Sequence, residues 1–183
     1  MTLVNPGKGR ALIENSAESI KITIPAKKKI FTIVVLSLWL LVWLAAEVGV
    51  TSQLIFQGPG IEVAFFIFWL VLWTAGGVLA LLILLWNLCG KEIIETKGDI
   101  FKIERRILRF SISREYLIKD MNNFRFRSSG TNLFSVRAGL EFWGFGAGNI
   151  VFDYGMKTIR FAQSIDEAEV NFLIKTIIEF INK

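Results

Sequence analysis

IFTIVVLSLWLLVWLAA, residues 30–46, and VAFFIFWLVLWTAGGVLALLILLW, residues 63–86, contain no Lys, Arg, Asp or Glu. A bilayer core of about 30 Å takes about 20 apolar residues in helix. Both runs reach that length once the flanks Glu47 to Val50 and Asn87 to Leu88 are added. They are read as two spans, about 30–50 and 62–88, of a helical hairpin over residues 27–90 joined by the link Thr51 to Gly60. Core helices of a water-soluble domain are the competing reading, but these seldom stay uncharged for so long.

The flanks orient the hairpin. Lys27, Lys28 and Lys29 precede the first run and Lys91 follows the second, whereas the link TSQLIFQGPG holds no Lys or Arg. Positive charge is retained on the cytoplasmic side, so the expected topology has both termini in the cytoplasm of a cell (inner) membrane and the link outside. The first run starts too late and is too long for a cleaved signal peptide, and reads as an anchor.

The 183 residues, 53% of them hydrophobic, suit one hairpin and one small domain. The net charge of +5 fits the anionic inner leaflet better than nucleic acid. There is no histidine, so the commonest general base and metal ligand is missing; no cofactor or metal is expected. Cys89, the single cysteine, has no internal disulfide partner and reads as an interfacial residue, with lipidation as the alternative.

Outside the hairpin the periodicity changes. Residues 1–10 contain NPGKG and read as a flexible tail. In SIKITIP, residues 19–25, Ile20, Ile22 and Ile24 alternate with Lys21 and Thr23 as in a half-buried strand, and ALIEN reads as its hairpin partner. Two strands alone are marginal in water, so residues 11–26 are expected to join a sheet built by residues 91–183. There, KEIIETKGDIFKIERRIL reads as two strands about a turn, followed by strand candidates SISREYLI, NNFRFRS, LFSVRA, LEFWGF, NIVFDYG and MKTIRFA. A helix over 165–182 closes the chain. Ser164 with Glu167 makes a capping box, and Val170, Leu173, Ile174, Ile177 and Ile181 form one apolar stripe. The expected class is therefore a membrane hairpin plus a mainly-β, α+β small barrel or sandwich with a C-terminal helix.

Several residue sets are candidates for function. Trp39 and Trp43, and Trp69 and Trp73, are each one turn apart and suit an aromatic belt or, as their spacing favours, the packed face of the hairpin. Ala45 with Gly49, and Gly76 with Ala80, are small residues that let helices approach, within the hairpin or against a partner. Glu47 and Glu62 fall near the outer interface, where a carboxylate can reach water; a proton or cation site is the alternative. Arg105, Arg106, Arg109, Arg125 and Arg127, with Arg114 and Arg137, read first as solvated strand faces and, as the functional alternative, as a membrane-surface or partner contact, worth about 1 kcal/mol per basic residue against anionic head groups. In FRFR, Phe124 and Phe126 should share one face and Arg125 and Arg127 the other. GFGAG lacks the Lys-Ser/Thr of a phosphate loop and reads as a turn or bulge. Asp153, Tyr154 and Lys157 flank an evident turn and lack a nucleophile with a positioned base, so the chain is not read as an enzyme.

Four stretches carry a resemblance: ALIENSAESIKITIPAKK, WNLCGKEIIE, SREYLIKDMNNFRF and FDYGMKTIRFAQSIDEAE. They resemble a bacterial two-span membrane protein family with a pleckstrin-homology-like cytoplasmic domain, over nearly the whole chain. The resemblance implies fold and topology, and it transfers no catalytic residue. The plan of two spans and a small domain also resembles, in architecture, the photosystem I assembly factor of chloroplasts and cyanobacteria. The expected function is a non-enzymatic, membrane-anchored module that docks other membrane proteins. An accessory or assembly subunit of a larger membrane complex and an anionic-lipid sensor are the alternatives.

Overall fold

The computed structural model describes residues 2–4, 9–16, 18–57, 61–127, 143, 148–163 and 165–181, with 2–4, 61, 62 and 168 described by their backbone alone. The chain forms two units, Lys28–Leu88 and Met1–Lys27 with Cys89–Lys183.

The first unit is a pair of helices, α1 (Ile30–Gln57) and α2 (Ile61–Cys89). Each contains 27 residues long and apolar enough to cross a membrane, with mean hydropathy 2.3 and 2.4. Helix α1 runs past the expected span end at residue 50, so Thr51 to Gln57 are helical and belong to no link. The reason is local: nothing before Gly58, Pro59 and Gly60 breaks a helix. The Ser52 hydroxyl also turns back to Val48 O and Gly49 O at 2.5 and 3.0 Å and so competes with no later backbone group.

The second unit holds two antiparallel sheets and one helix. Strands β1 (Thr2–Val4), β2 (Leu12–Asn15), β3 (Ser19–Pro25), β4 (Gly90–Lys97), β5 (Ile100–Ile107) and β6 (Phe110–Leu117) lie side by side in that order. A 3-10 turn, Ile118–Asp120, leads to a second sheet of β7 (Met121–Phe126), β8 (Ile150–Tyr154) and β9 (Lys157–Phe161), and α3 (Glu167–Ile181) follows. The helical pair is inserted between β3 and β4, which pair from Ser19↔Lys97 to Pro25↔Lys91. One sheet therefore contains residues from before and after the insertion.

Register explains the core. On one face of the first sheet, Ile20, Thr96, Phe101 and Tyr116 form a row, and Ile13, Ile22, Ile94 and Ile103 form the next. These rows pack with Ile150, Phe152 and Phe161 of the second sheet and with Val170, Leu173 and Ile177 of α3. Phe101, Phe152 and Phe161 meet edge to face with centroids 5.6–5.9 Å apart, the arrangement their ring quadrupoles favour. Ile174 and Ile181 pack against the same core.

The structure differs from expectation at the N-terminus. Residues 2–4, read as part of a flexible tail, pair with β2 as Thr2↔Asn15, Leu3↔Glu14 and Val4↔Ile13. A three-residue strand is stabilised by the edge it joins, and local sequence carries no record of that edge. The strand candidates LFSVRA and, except for Trp143, LEFWGF, together with Arg137 and the Ser164 cap, lie outside the described residues. So do the Glu62 side chain and all of GFGAG except Gly148.

Candidate functional site

The arginine set does not form one patch. Arg105 and Arg106 are neighbours on β5 and so point to opposite faces. Arg105 Nε donates to Glu92 Oε1 at 3.3 Å, while Arg106 Nε and Nη2 donate to Glu104 Oε1 at 2.8 and 2.6 Å. Lys102 approaches Glu104 and Glu115 at 3.9 Å and extends that second row of charges. Arg109 sits exposed in the β5–β6 turn, and Arg114 is exposed on β6.

Arg125 belongs to the other sheet. Between Asn122 and Arg125 the β7–β8 register shifts, and Asn123 takes a φ of 57°, a bulge that re-aims the side chains after it. Arg125 then makes a bidentate pair with Asp153, Nη1 to Oδ2 at 2.6 Å and Nη2 to Oδ1 at 3.0 Å. Asn123 Nδ2 and Thr158 Oγ1 also donate to Asp153, each at 3.0 Å. These bonds hold the Asp153 carboxyl at about 2, the Arg125 hydrogen bonds being the largest cause. The same bonds raise Arg125. Asp153 is thus a satisfied carboxylate, and Tyr154 beside it packs on Tyr116 with centroids 5.2 Å apart. Arg127 lies beyond β7, exposed, its backbone N–H bonded to Asn149 O at 3.0 Å.

Glu92 is a residue that pattern reading passed over. It lies on the core-facing side of β4, 3% exposed, in the row Ile24, Glu92, Arg105. Its Oε2 accepts the backbone N–H groups of Ala162 and Gln163 at 2.9 and 3.3 Å. Ala162 follows β9 in a left-handed conformation with φ of 61°, so the carboxylate ties the first sheet to the chain leaving the second. An acid facing inward beside Ile24 and Ile94 breaks the apolar pattern of that face, and that break was the available signal. A second tie joins the N-terminal segment to α3, where the Ala11 N–H donates to Glu169 Oε1 at 2.6 Å. Gly148 (φ 92°) approaches the Phe161 backbone so closely that a Cβ would collide with it.

Within the helical pair the tryptophans pack together. Trp69 stacks on Trp73 at 4.8 Å, Trp39 approaches Trp73 at 6.0 Å, and Trp43 Nε1 donates to Trp73 O at 3.1 Å. Thr74 Oγ1 donates to Glu47 Oε1 at 2.7 Å, so Glu47 faces the partner helix. Its Oε2 and Trp73 Nε1 are buried without a hydrogen-bond partner. Of the small residues, Ala80 is buried, but Ala45, Gly49 and Gly76 face outward, and a Cβ on Gly49 or Gly76 would meet nothing within 4 Å. The close approach is at Gly77, where a Cβ would collide with the edge of the Trp43 ring. Adjacent glycines at 76 and 77 differ only by a rotation about the helix, and spacing alone does not choose between them.

Cys89 is exposed. Among the described residues no three His, Cys, Asp or Glu side chains converge as a metal site requires. No family model and no curated protein matches the chain.

Proposed function

We propose that the chain is an integral protein of the cell (inner) membrane, its helices forming a spanning hairpin with both termini in the cytoplasm. The sheet unit is then a pleckstrin-homology-like module that docks other membrane proteins, without catalysis. The observation that carries the membrane reading is exposure. Only 6% of the apolar window of α1 and 22% of that of α2 is buried, whereas a core helix of a soluble protein is mostly buried. The sheet supports a same-side arrangement of the termini. Pro25 and Lys91 are paired neighbours on β3 and β4, so the chain enters α1 and leaves α2 from one end of one sheet. The lysines at 27–29 and 91 support a cytoplasmic position for that end, since positive charge is retained there. Reporter fusions at residues 5 and 183 should be active only as cytoplasmic reporters and a fusion at residue 57 only as an external one; termini on opposite sides would sink the hairpin.

Docking of protein is favoured over sensing of anionic lipid because Arg105, Arg106 and Arg125 are matched by Glu92, Glu104 and Asp153. Pairing removes much of the positive field that head-group recognition needs. Tethering beside the bilayer raises the effective concentration for other membrane proteins, so a weak surface contact suffices. Affinity purification in mild detergent, from the intact chain and from one with its spans replaced, should recover a stoichiometric partner. Tight binding of anionic vesicles with no such partner would favour lipid sensing.

A further inference from the structure

The β5–β6 turn exposes an unusual run of apolar side chains. In LRFSI, residues 108–112, Leu108 is 61% exposed, Phe110 83% and Ile112 75%. Phe110 and Ile112 share a face of β6 with exposed Arg114 and with Tyr116, whose ring is in the core, so the core-facing side of the strand continues here uncovered by any described residue. Leu108 holds a φ of 51°, a left-handed conformation that Gly or Asn adopts more cheaply. A bulky exposed leucine at a position that favours glycine is costly twice over unless its side chain has a use.

Register gives the location. Gly90 pairs with Ile107, which pairs with Phe110. Strands are spaced about 4.8 Å apart, so Phe110 lies about 10 Å across the sheet from Gly90. Gly90 is bonded directly to Cys89, the last residue of α2. Phe110 is therefore within about 14 Å of Cys89 along the sheet and one peptide step. The carboxylates near this apolar tip, Glu92 in the row of Ile112 and Glu104 on β5, are paired with Arg105 and Arg106. The row Pro25, Lys91, Arg106, Ser111 and the row Gly90, Ile107, Phe110 hold no carboxylate, and Arg109 lies exposed between Leu108 and Phe110.

We propose that Leu108, Phe110 and Ile112 seat in the boundary between head groups and acyl chains of the bilayer that the helices cross, with Arg109 among the lipid phosphates. Apolar side chains of interfacial segments reach about 5–10 Å into that boundary, and cationic neighbours add attraction to anionic lipid. This inference rests on the membrane reading above. The tip acts as a third point of attachment beside the two chain entries and limits which sheet surface remains open to a partner.

The test uses the full chain in nanodiscs of phosphatidylcholine and phosphatidylglycerol, in a Cys89→Ser background. Single substitutions Phe110→Cys, Ile112→Cys, Lys97→Cys and Val71→Cys each carry an environment-sensitive fluorophore, and quenching by nitroxide-bearing lipids is read. Val71 is on the outward face of α2, and Lys97 ends β4 at the opposite end from Gly90. Labels at 71, 110 and 112 are expected to lose most of their emission, and the label at 97 to keep it. Quenching at 71 with none at 110 and 112 overturns the inference and leaves the membrane reading standing, whereas no quenching at 71 overturns both. Labels at 110 and 112 shielded from lipid nitroxide and from an aqueous quencher alike would mean that protein covers the tip, which also overturns it.

Discussion

In the helical pair, Leu38, Leu41, Val42, Phe65, Phe68 and Leu72 point outward, and the hydrogen-bonding groups of Trp43, Glu47 and Thr74 are directed between the helices. In the sheet unit Ile20, Ile22, Phe101, Phe152 and Leu173 are buried, and Lys21, Lys102, Glu115 and Lys175 form their ion pairs near the surface. The two units thus turn their apolar side chains in opposite directions, and on the proposed membrane reading each direction corresponds to a solvent. Water drives apolar groups together in the sheet unit. Lipid exerts no such drive between helices, so these associate through close packing and hydrogen bonds instead.

The contrast is sharpest where the same chemical deletion is made in both units. Phe152→Ala removes a ring that touches Phe101, Tyr116, Phe124 and Phe161, and should cost about 3–5 kcal/mol. Leu72→Ala on the outward face of α2 should change little, since lipid contacts that side chain whether or not the helices are apart. Pulse proteolysis of the full chain in detergent micelles along a urea series measures both, and comparable losses would break the contrast.

Glu92 departs from the rule of the sheet unit, and Gly77 shows the rule of the helical pair at its tightest. Glu92→Ala leaves two backbone donors and Arg105 without their acceptor, at an expected cost of about 1–3 kcal/mol; Glu92→Gln keeps one acceptor oxygen and should cost less. In the hairpin, Gly77→Leu forces the helices apart at the Trp43 ring and should weaken their association by about 1–3 kcal/mol, as overpacking does. Gly76→Leu, one residue away on the outward face, should leave it intact. Energy transfer between labels on the two helices reports either outcome, and equal effects at 76 and 77 would contradict the packing described.

The smallest effect concerns pH. The Asp153 carboxyl is held at about 2, below its ordinary 3.8. Its folded value being depressed, the group contributes stability that is complete above 3.8 and lost as pH falls toward 2. Asp153→Asn should flatten the loss of stability across that window and leave the Glu92 tie untouched. An acid-unfolding curve unchanged by the substitution would show that the Arg125 pair is too solvated to matter.

Much of this contrast is legible in the sequence, because both solvents leave a periodic or compositional trace. The uncharged runs locate α1 and α2, the alternation at Ile20, Ile22 and Ile24 locates β3, and the stripe from Val170 to Ile181 gives the buried face of α3. These are properties of neighbours in the chain, which a window of a dozen residues contains. Tertiary structure alone decided the rest. Which of Gly76 and Gly77 meets Trp43 depends on the rotation of one helix about its axis. Arg105, Arg106 and Arg125 look alike in sequence, and their carboxylates come from positions 92, 104 and 153 only once strands have paired and β7 has bulged. The position of Phe110 in one row with Ile107 and Gly90 is likewise a fact of register, because pairing between strands sets which distant residues share a row.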